Sequence, residues 1–305
     1  MSFTGEIKTE ISKQKFNKLE QISLLSGITR NEITEPEIKI SNENQDVANL
    51  IFNLFQENYK ITPKITVRRG YNYNKNYIYI LEIKTKLNEI KTDLSINNNI
   101  PEERIVKEDN LIRAYIKGIF LAKGSINNPK TSRYHLEILV DNEEYAEFIN
   151  EILNKYSLNS KILKRENKYM IYIKEAEKIG DFLRLIGTTK SLLFYEDIRI
   201  YRDHVNMTNR LNNCEQANVD RIIQTATEQV KDIELIQKYG IELLSEKEQI
   251  VAEYRLKYKE ASLQELSEII SLETSDKITK PGLHHRFDKI KKLAQRIREK
   301  EKENE

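Results

Sequence analysis

The sequence predicts an α+β protein in which an N-terminal domain of helices and sheets precedes an all-helical C-terminal domain. Three observations indicate this fold. A unit of strands and amphipathic helices occurs twice within about the first two hundred of the 305 residues, a polar stretch follows the second copy, and helix-capping signals crowd the end of the chain. A chain of this length has room for two domains of ordinary size.

The first domain contains an internal repeat. Residues 38–69 resemble residues 136–165, because in each segment an alternating strand ends in Asn and acidic residues and an amphipathic helix follows. The helix has its apolar stripe at matching spacing in both copies, at Val47, Leu50, Ile51, Leu54 and Phe55 and at Tyr145, Phe148, Ile149, Ile152 and Leu153. A hairpin comes next each time, formed by 64–69 with 77–83 and by 161–165 with 169–173. Each unit therefore has the order helix, strand, helix, hairpin, helix, and we assign residues 1–104 to the first copy and 105–200 to the second.

The stretch after the repeat is predicted to connect the two domains. From about Tyr201 to Asn218 the apolar periodicity stops, and Asn and Arg accumulate. We interpret 201–220 as a connector and 221–305 as the C-terminal domain. That domain is expected to open with a helix from about Val219 to Tyr239 and to end in a frayed tail after Arg298.

The C-terminal domain carries the start signals of three successive helices. Capping boxes open the first two, and an N-cap with a proline in the first turn opens the third; these residues are Ser245 with Glu248, Ser262 with Glu265, and Thr279 with Pro281. The last helix has one apolar face, formed by Leu283, Phe287, Ile290, Ala294 and Ile297. A short helix, a turn and an amphipathic helix predict a helix-turn-helix from about Ser262 to Gln295.

The other face of the last helix is basic. Between positions 277 and 298 there is one acid, Asp288, and there are eight basic residues, namely Lys277, Lys280, Arg286, Lys289, Lys291, Lys292, Arg296 and Arg298. Projected at 100° per residue, the face opposite the apolar one holds His285, Lys289, Lys292 and Arg296, with His284 and Arg286 on its flanks. Such a helix enters the major groove while its cations pair with phosphates. We therefore expect double-stranded DNA as the partner, bound by these six residues and Lys280. A solvated basic face without a ligand is the alternative.

Composition excludes several other classes of protein. The net charge is only +2, so a nucleic-acid interface must come from local clustering. A single cysteine, Cys214, excludes a disulfide framework and a Cys-rich zinc site. The apolar runs are too short to span a membrane, and the charged N-terminal stretch lacks the apolar segment of a signal peptide. The four histidines have no metal-ligand spacing, and no Gly-rich phosphate loop occurs. We expect a cytoplasmic protein without metal or cofactor.

Three separated stretches resemble the WhiA family of bacterial regulators. They are RAYIKGIFLAKGSINNP (113–129), NRLNNCEQAN (209–218) and ASLQELSEII…KITKPGLHHRFDKIKKLA (261–294). In the last stretch the family pattern is matched by Gly282, His285, Arg286, Lys289 and Ile290, whereas Pro281, His284 and Asp288 depart from it. The resemblance implies a DNA-binding regulator of transcription, associated with the nucleoid, that acts in cell division, chromosome segregation and, in spore formers, sporulation. It also implies that the N-terminal domain is similar to two-repeat LAGLIDADG homing endonucleases, with two αββαββα units.

The same resemblance raises the question of nuclease activity. In LAGLIDADG enzymes each motif helix ends in an Asp before a Gly, and the two carboxylates hold divalent metal ions at the scissile phosphates. The second motif here is IKGIFLAKG (116–124), which places Lys123 at the metal position, and the first lies within QISLLSGIT (21–29), which places the corresponding position near Ile28. Neither position is acidic, so we expect no catalysis and no metal.

Two rival functions remain open at this stage. One is an active LAGLIDADG nuclease, against which Lys123 argues. The other is a partner-binding cell-division protein that contacts DNA only incidentally. In the leading interpretation, the N-terminal domain is a platform either for other regulators or division proteins or for a second stretch of DNA.

Overall fold

The computed structural model of the chain describes residues 2–30, 33–34, 37–69, 77–131, 133–274 and 277–303. It divides into two compact units, residues 1–203 and residues 204–305. Helices make up most of the described chain, and both sheets lie in the first unit.

The first unit repeats one order of elements. In the first copy these are α1 (Phe3–Ser12), α2 (Lys18–Thr29), β1 (Ile33–Thr34), β2 (Glu37–Asn42), α3 (Gln45–Tyr59), β3 (Lys64–Arg69), β4 (Tyr77–Ile83) and α4 (Leu87–Asp93). In the second they are α5 (Asp109–Lys123), β5 (Gly124–Ile126), β6 (Leu136–Val140), α6 (Glu143–Lys155), β7 (Lys161–Arg165), β8 (Lys168–Ile173) and α7 (Ala176–Leu185). A short 3-10 helix (Glu103–Ile105) precedes α5.

The two sheets have the same antiparallel topology. The first has the order β1-β2-β4-β3 and the second β5-β6-β8-β7. Their registers correspond, because Ile40 pairs with Leu81 in one sheet and Ile138 pairs with Ile171 in the other. The repeat and the αββαββα units are thereby confirmed. The short edge strands β1 and β5 were missing from the order that periodicity alone predicted, since two or three residues are too few to show alternation.

The repeated helices α3 and α6 begin where the sequence indicated. The side chain of Asn44 accepts hydrogen bonds from the N–H groups of Asp46 and Val47, and the side chain of Asn142 accepts one from Tyr145. Asn is a favoured N-cap because its short side chain satisfies the free N–H groups of the first turn. The stripe positions Val47, Ile51, Leu54 and Phe55 are buried in α3, and Tyr145, Ile149, Ile152 and Leu153 are buried in α6.

Helix α1 was not predicted, and it joins the two copies. Phe3 and Ile7 are buried on one face of it. The Thr4 hydroxyl donates to the carbonyl of Ile126 on β5 at 2.9 Å. At its other end, the Glu10 carboxylate accepts from the N–H groups of Lys190 and Ser191 at 2.8 and 3.0 Å. This carboxylate caps the first turn of the helix that follows the repeat.

Helices α2 and α5 cross in direct backbone contact at two glycines. A Cβ added to Gly27 would lie 2.5 Å from the carbonyl oxygen of Tyr115, and one added to Gly118 would lie 2.2 Å from the carbonyl oxygen of Leu24. The contacts are reciprocal, so the two helices are related by a local twofold. Only glycine permits so close an approach.

A buried polar network lies beside this crossing. The Arg30 guanidinium donates to the Tyr115 hydroxyl at 3.1 Å and to the carbonyls of Ser95 and Asn98, and it lies 5.5 Å from the ring centre of Tyr145. The two tyrosine hydroxyls are 2.9 Å apart. Burial raises the pKa of both tyrosines, so they stay neutral hydrogen-bonding groups.

The predicted connector is helical. Helix α8 runs from Thr189 to Tyr239 and includes all of 201–220, which corrects the predicted helix start at Val219. Its polar stretch is exposed, and the side chains there are solvated instead of forming an apolar stripe. No Gly or Pro occurs within it, whereas Gly187 and Gly240, both with positive φ, stand just outside its ends.

The second unit consists of helices around one small core. After α8 come a 3-10 helix (Ile241–Leu243), α9 (Glu246–Lys257), α10 (Leu263–Glu273) and α11 (Lys280–Glu303). The core residues include Ile233, Val251, Leu266, Leu283 and Ile290. The tail predicted to fray after Arg298 continues α11 as far as Glu303. Across the described residues, no helix is both long and apolar enough to cross a membrane.

Replacing Gly118 with Ala should destabilise the first unit. The added Cβ would overlap the backbone of Leu24, which cannot move without separating α2 from α5. We expect a loss of about 1–3 kcal/mol in the free energy of unfolding, measured as a lower melting temperature of the full chain by scanning calorimetry.

Gly180→Ala is the matched control. Its Cβ would overlap the carboxylate of Glu196 at 2.3 Å and would be in ordinary contact with the Tyr195 ring at 3.9 Å. The carboxylate is the end of a flexible side chain and can shift at the cost of its partly exposed ion pair with Arg199, whereas a helix backbone cannot. A Gly118→Ala protein as stable as the Gly180→Ala protein would contradict the backbone contact.

Candidate nucleic-acid interface

The C-terminal helices begin at the predicted caps. Both capping boxes are formed, since the Glu248 carboxylate accepts from the N–H of Ser245 at 3.0 Å and the Glu265 carboxylate accepts from the N–H of Ser262 at 2.8 Å. The N–H of Gly282 donates to the Thr279 hydroxyl at 3.3 Å in the first turn of α11. Helices α10 and α11 are therefore the short helix and the long helix of the predicted helix-turn-helix.

The Ser271 side chain, near the end of α10, is bonded to the backbone just before α11. The Ser271 hydroxyl donates to the carbonyl of Ile278 at 3.2 Å and accepts from its N–H at 3.1 Å. The apolar face of α11 is buried at Leu283, Phe287 and Ile290. Burial of this face leaves the basic face of the helix in solvent.

The structure leaves six of the seven predicted DNA-binding side chains exposed. These are Lys280, His284, His285, Lys289, Lys292 and Arg296. Arg286 differs, because it is half-buried and donates to the carbonyl of Lys247 on α9 at 3.3 Å. It therefore braces α11 against α9.

Internal partners divide the exposed residues into two groups. Lys289 lies 3.6 Å from the Glu248 carboxylate, and His284 lies 3.3 Å from that of Asp288. Lys280, His285, Lys292 and Arg296 have no hydrogen bond or ion pair within the part of the chain that the structure describes. His285, Lys292 and Arg296 follow one another at i, i+7 and i+11, so they lie on one stripe of α11. This stripe can bind phosphates without first breaking an internal contact.

Arg255, on α9, packs against the buried face of α11, and the sequence did not indicate this role. It is 1% exposed, and it donates to the carbonyls of Tyr258 and Ala261 at 3.2 and 2.6 Å. Its guanidinium also lies 5.4 Å from the ring centre of Phe287 on α11. Arginine on a helix of mixed polarity usually faces solvent, so no pattern in the sequence marks this one as buried.

The predicted metal positions of the first unit need one correction. Lys123 ends α5 as expected, five residues after Gly118. Ile28, however, is buried one residue after Gly27 and is the counterpart of Ile119 across the helix crossing. The residue five positions after Gly27 is Glu32, which lies outside the described residues. Ile28 is therefore the wrong counterpart of Lys123, because the motif was aligned without the crossing that sets its register.

A second lysine lies near Lys123. Lys8, on α1, is half-buried, and its ammonium group lies 5.8 Å from the ring centre of Phe120. Burial lowers the pKa of Lys8 to about 8; Glu43 opposes this shift and the positive charge of Lys123 adds to it. Cations thus gather at the end of α5, where a nuclease of this fold needs carboxylates. Within the described residues no cluster of three or more His, Cys, Asp or Glu could hold a metal ion.

Three family models match successive segments of this chain, two in the first unit and its boundary and one in the second. Family models match for the WhiA N-terminal LAGLIDADG-like domain over residues 26–97, the WhiA LAGLIDADG-like domain over 112–205 and the WhiA C-terminal HTH domain over 208–294. The chain is 38% identical to the probable cell division protein WhiA of Pediococcus pentosaceus, over 98% of this chain and 100% of that one. It is 39% identical to the protein of the same name from Enterococcus faecalis, over 98% and 99%.

Solved structures give a similar result. The crystal structure of full-length DUF199/WhiA from Thermatoga maritima matches with a TM-score of 0.58 at 27% identity, over 97% of this chain and 99% of that one. The N-terminal LAGLIDADG domain of DUF199/WhiA matches with a TM-score of 0.51 at 23% identity, over 61% of this chain and 90% of that one. The second match bears on the fold alone.

Magnesium should leave the wild-type chain unchanged. We expect no Mg²⁺-dependent nicking of supercoiled plasmid and no shift in melting temperature beyond that of NaCl at equal ionic strength, because Lys123 repels the ion. The equivalent position in the sequence of the first copy is Glu32, so Lys123→Glu gives both copies an acid there. We therefore expect Mg²⁺ to raise the melting temperature of that variant. Metal-dependent cleavage by the wild-type protein would contradict the assignment.

Lys8→Met should raise the melting temperature at pH 7. The pKa of Lys8 is lower in the folded protein than in the unfolded chain, so its charge destabilises the fold fully below about pH 8 and progressively less as the pH rises towards 10.5. The advantage of the variant should therefore shrink between pH 8 and pH 10. Lys13→Met, at the exposed end of α1, serves as the control; equal pH profiles for the two variants would count against the buried charge.

Proposed function

This chain belongs to the WhiA family, and we propose that it regulates transcription by binding double-stranded DNA through α10 and α11. The proposed setting is the cytoplasm, on the nucleoid, where the protein acts in cell division and chromosome segregation and, if the organism forms spores, in sporulation. Its relatives named probable cell division protein WhiA support the connection with division.

The stripe of cations without internal partners carries this proposal. Lys292 and Arg296 are exposed, and neither is neutralised by an acid of its own chain in the described residues. Opposite them, Leu283 and Phe287 anchor α11 in the core, so the stripe is held on a rigid element. Cations presented in this way pair with phosphates and release counterions from DNA.

His285 and Lys280 lie at the N-terminal end of the same helix. In a helix-turn-helix this end enters the major groove, and we propose that these residues approach base edges and flanking phosphates there. Arg286 and Lys289 contribute less directly, because Arg286 is bonded to α9 and Lys289 must exchange Glu248 for a phosphate.

The first unit is proposed to act without catalysis, as a platform for other regulators or division proteins. Its two copies place a lysine, Lys123, where one of the two metal-binding acids would be needed. Its edge strands β3 and β7 expose apolar side chains at Ile65, Val67 and Leu163. Exposed edge strands with apolar side chains are ready sites for protein contacts.

Neutralising the stripe should weaken DNA binding irrespective of sequence. For the double variant Lys292→Gln, Arg296→Gln we expect affinity at physiological salt to fall on the order of tenfold and the slope of log K against log salt to decrease by about 2. Fluorescence anisotropy with several unrelated duplexes at a series of salt concentrations measures both quantities.

The control removes equal or greater charge elsewhere. Lys13, Lys15 and Lys18 are exposed in the segment that joins α1 to the first residue of α2, and their replacement by Gln should leave the salt slope unchanged. If the double variant bound DNA as well as this control, the helix-turn-helix would not be the main DNA-binding surface and the partner-binding alternative would be favoured.

A further inference from the structure

A cavity of about 370 Å³ lies within the second unit, beside the start of the helix-turn-helix. It is lined by α8, by the start of α10 and by the first residue of α11, through Arg221, Ile222, Thr225, Ala226, Arg255, Ala261, Ser262, Leu263, Gln264 and Lys280. Three of these side chains are ionisable, and all three are cations. A concave site lined by one sign of charge concentrates the opposite charge.

Arg255 is the buried member of this group. It is 1% exposed and has no acidic partner among the described residues. Two backbone carbonyls accept from its Nη1, but its Nε has no hydrogen-bond partner. Burial alone lowers the pKa of Arg255. A buried guanidinium is costly unless a counter-charge and acceptors for all its N–H groups satisfy it. Among the described residues, Arg255 has neither a counter-charge nor an acceptor for its Nε.

The N-terminus of α10 faces the same cavity. The N–H groups of Leu263 and Gln264 belong to the first turn, which has no intrahelical acceptors for them, and they make no other hydrogen bond in the described chain. The Glu265 carboxylate is engaged with the N–H of Ser262 in the capping box and does not line the cavity. Free N–H groups and the helix dipole both favour an anion at this point.

We infer that this cavity binds a phosphate group, held by Arg255 and the first turn of α10 from within and by Arg221 and Lys280 at the rim. A phosphate offers several acceptor oxygens in different directions, which suits a guanidinium, backbone N–H groups and two further cations better than a single carboxylate does. The volume falls at the lower end of the range for small-molecule sites. Because Lys280 opens α11, the bound phosphate connects the two helices of the proposed DNA-binding motif.

Two kinds of ligand would present a phosphate group to this cavity. One is the backbone of DNA lying across α10 and α11, in which case the inference rests on the proposed function and extends its contacts to Arg221 and Arg255. The other is a free phosphorylated small molecule, which would occupy the cavity in the absence of DNA.

The first experiment titrates inorganic phosphate into the full chain without DNA, at constant ionic strength maintained with NaCl. We expect a saturable rise in melting temperature. Arg221→Gln should raise the apparent dissociation constant for phosphate about tenfold, because it removes one charge-assisted contact. Arg210→Gln removes an exposed arginine from the same helix outside the cavity and should leave the dissociation constant unchanged. Arg255 itself is left intact, because its replacement would disturb the packing of Phe287.

The second experiment repeats DNA binding at saturating phosphate against NaCl of equal ionic strength. If phosphate weakens DNA binding, the DNA backbone uses the cavity; if DNA affinity is unchanged or increased, the cavity holds a separate phosphorylated ligand. Either result, with the Arg221→Gln effect, supports the site. The inference is overturned if phosphate gives no saturable shift or if Arg221→Gln and Arg210→Gln titrate alike. Because the first titration contains no DNA, its failure leaves the DNA-binding proposal untouched.

Discussion

The crossing of α2 and α5 at Gly27 and Gly118 is the constraint on which the first unit depends. No side chain separates the two backbones there, so each helix fixes the other's position and rotation. This contact sets the register between the two copies of the repeat and places one matching sheet in each copy. It also places the end of α5, with Lys123, next to Lys8.

Much of the fold could be predicted because local signals and burial agree. Strand alternation, the stripes of α3 and α6 and the caps at Ser245 and Ser262 each follow from residues close together in the chain. Features decided by distant residues could not be predicted in this way. The counterpart of Lys123 was misplaced at Ile28 because only the helix crossing gives the register. The helical state of the predicted connector 201–220 could not be predicted, because polarity without periodicity is shared by irregular segments and by exposed helices.

The candidate site was predicted in outline and refined by its contacts. Counting cations on α11 gives a basic face, but it cannot show that Glu248 already pairs with Lys289 or that Arg286 is bonded to α9. Both partners come from another helix. The contacts therefore narrow the candidate surface from a basic face to a stripe, and they add a buried cation, Arg255, that has no counter-ion among the described residues. In each unit the proposal rests on where charge lies relative to burial: cations at the end of α5 argue against a metal site, and exposed cations on α11 argue for phosphate contacts.

The network around Arg30 has a consequence for biosynthesis. The Arg30 guanidinium binds two carbonyls near the end of the first copy. The Tyr115 hydroxyl and the Tyr145 ring, which complete its surroundings, belong to the second copy. A nascent chain emerging from the ribosome contains Arg30 and Gly27 long before either tyrosine has been translated. Until then the guanidinium stays hydrated and the surface of α2 stays uncovered, so the first repeat cannot mature alone. The two copies therefore complete this part of their shared core together, after the second copy has been translated.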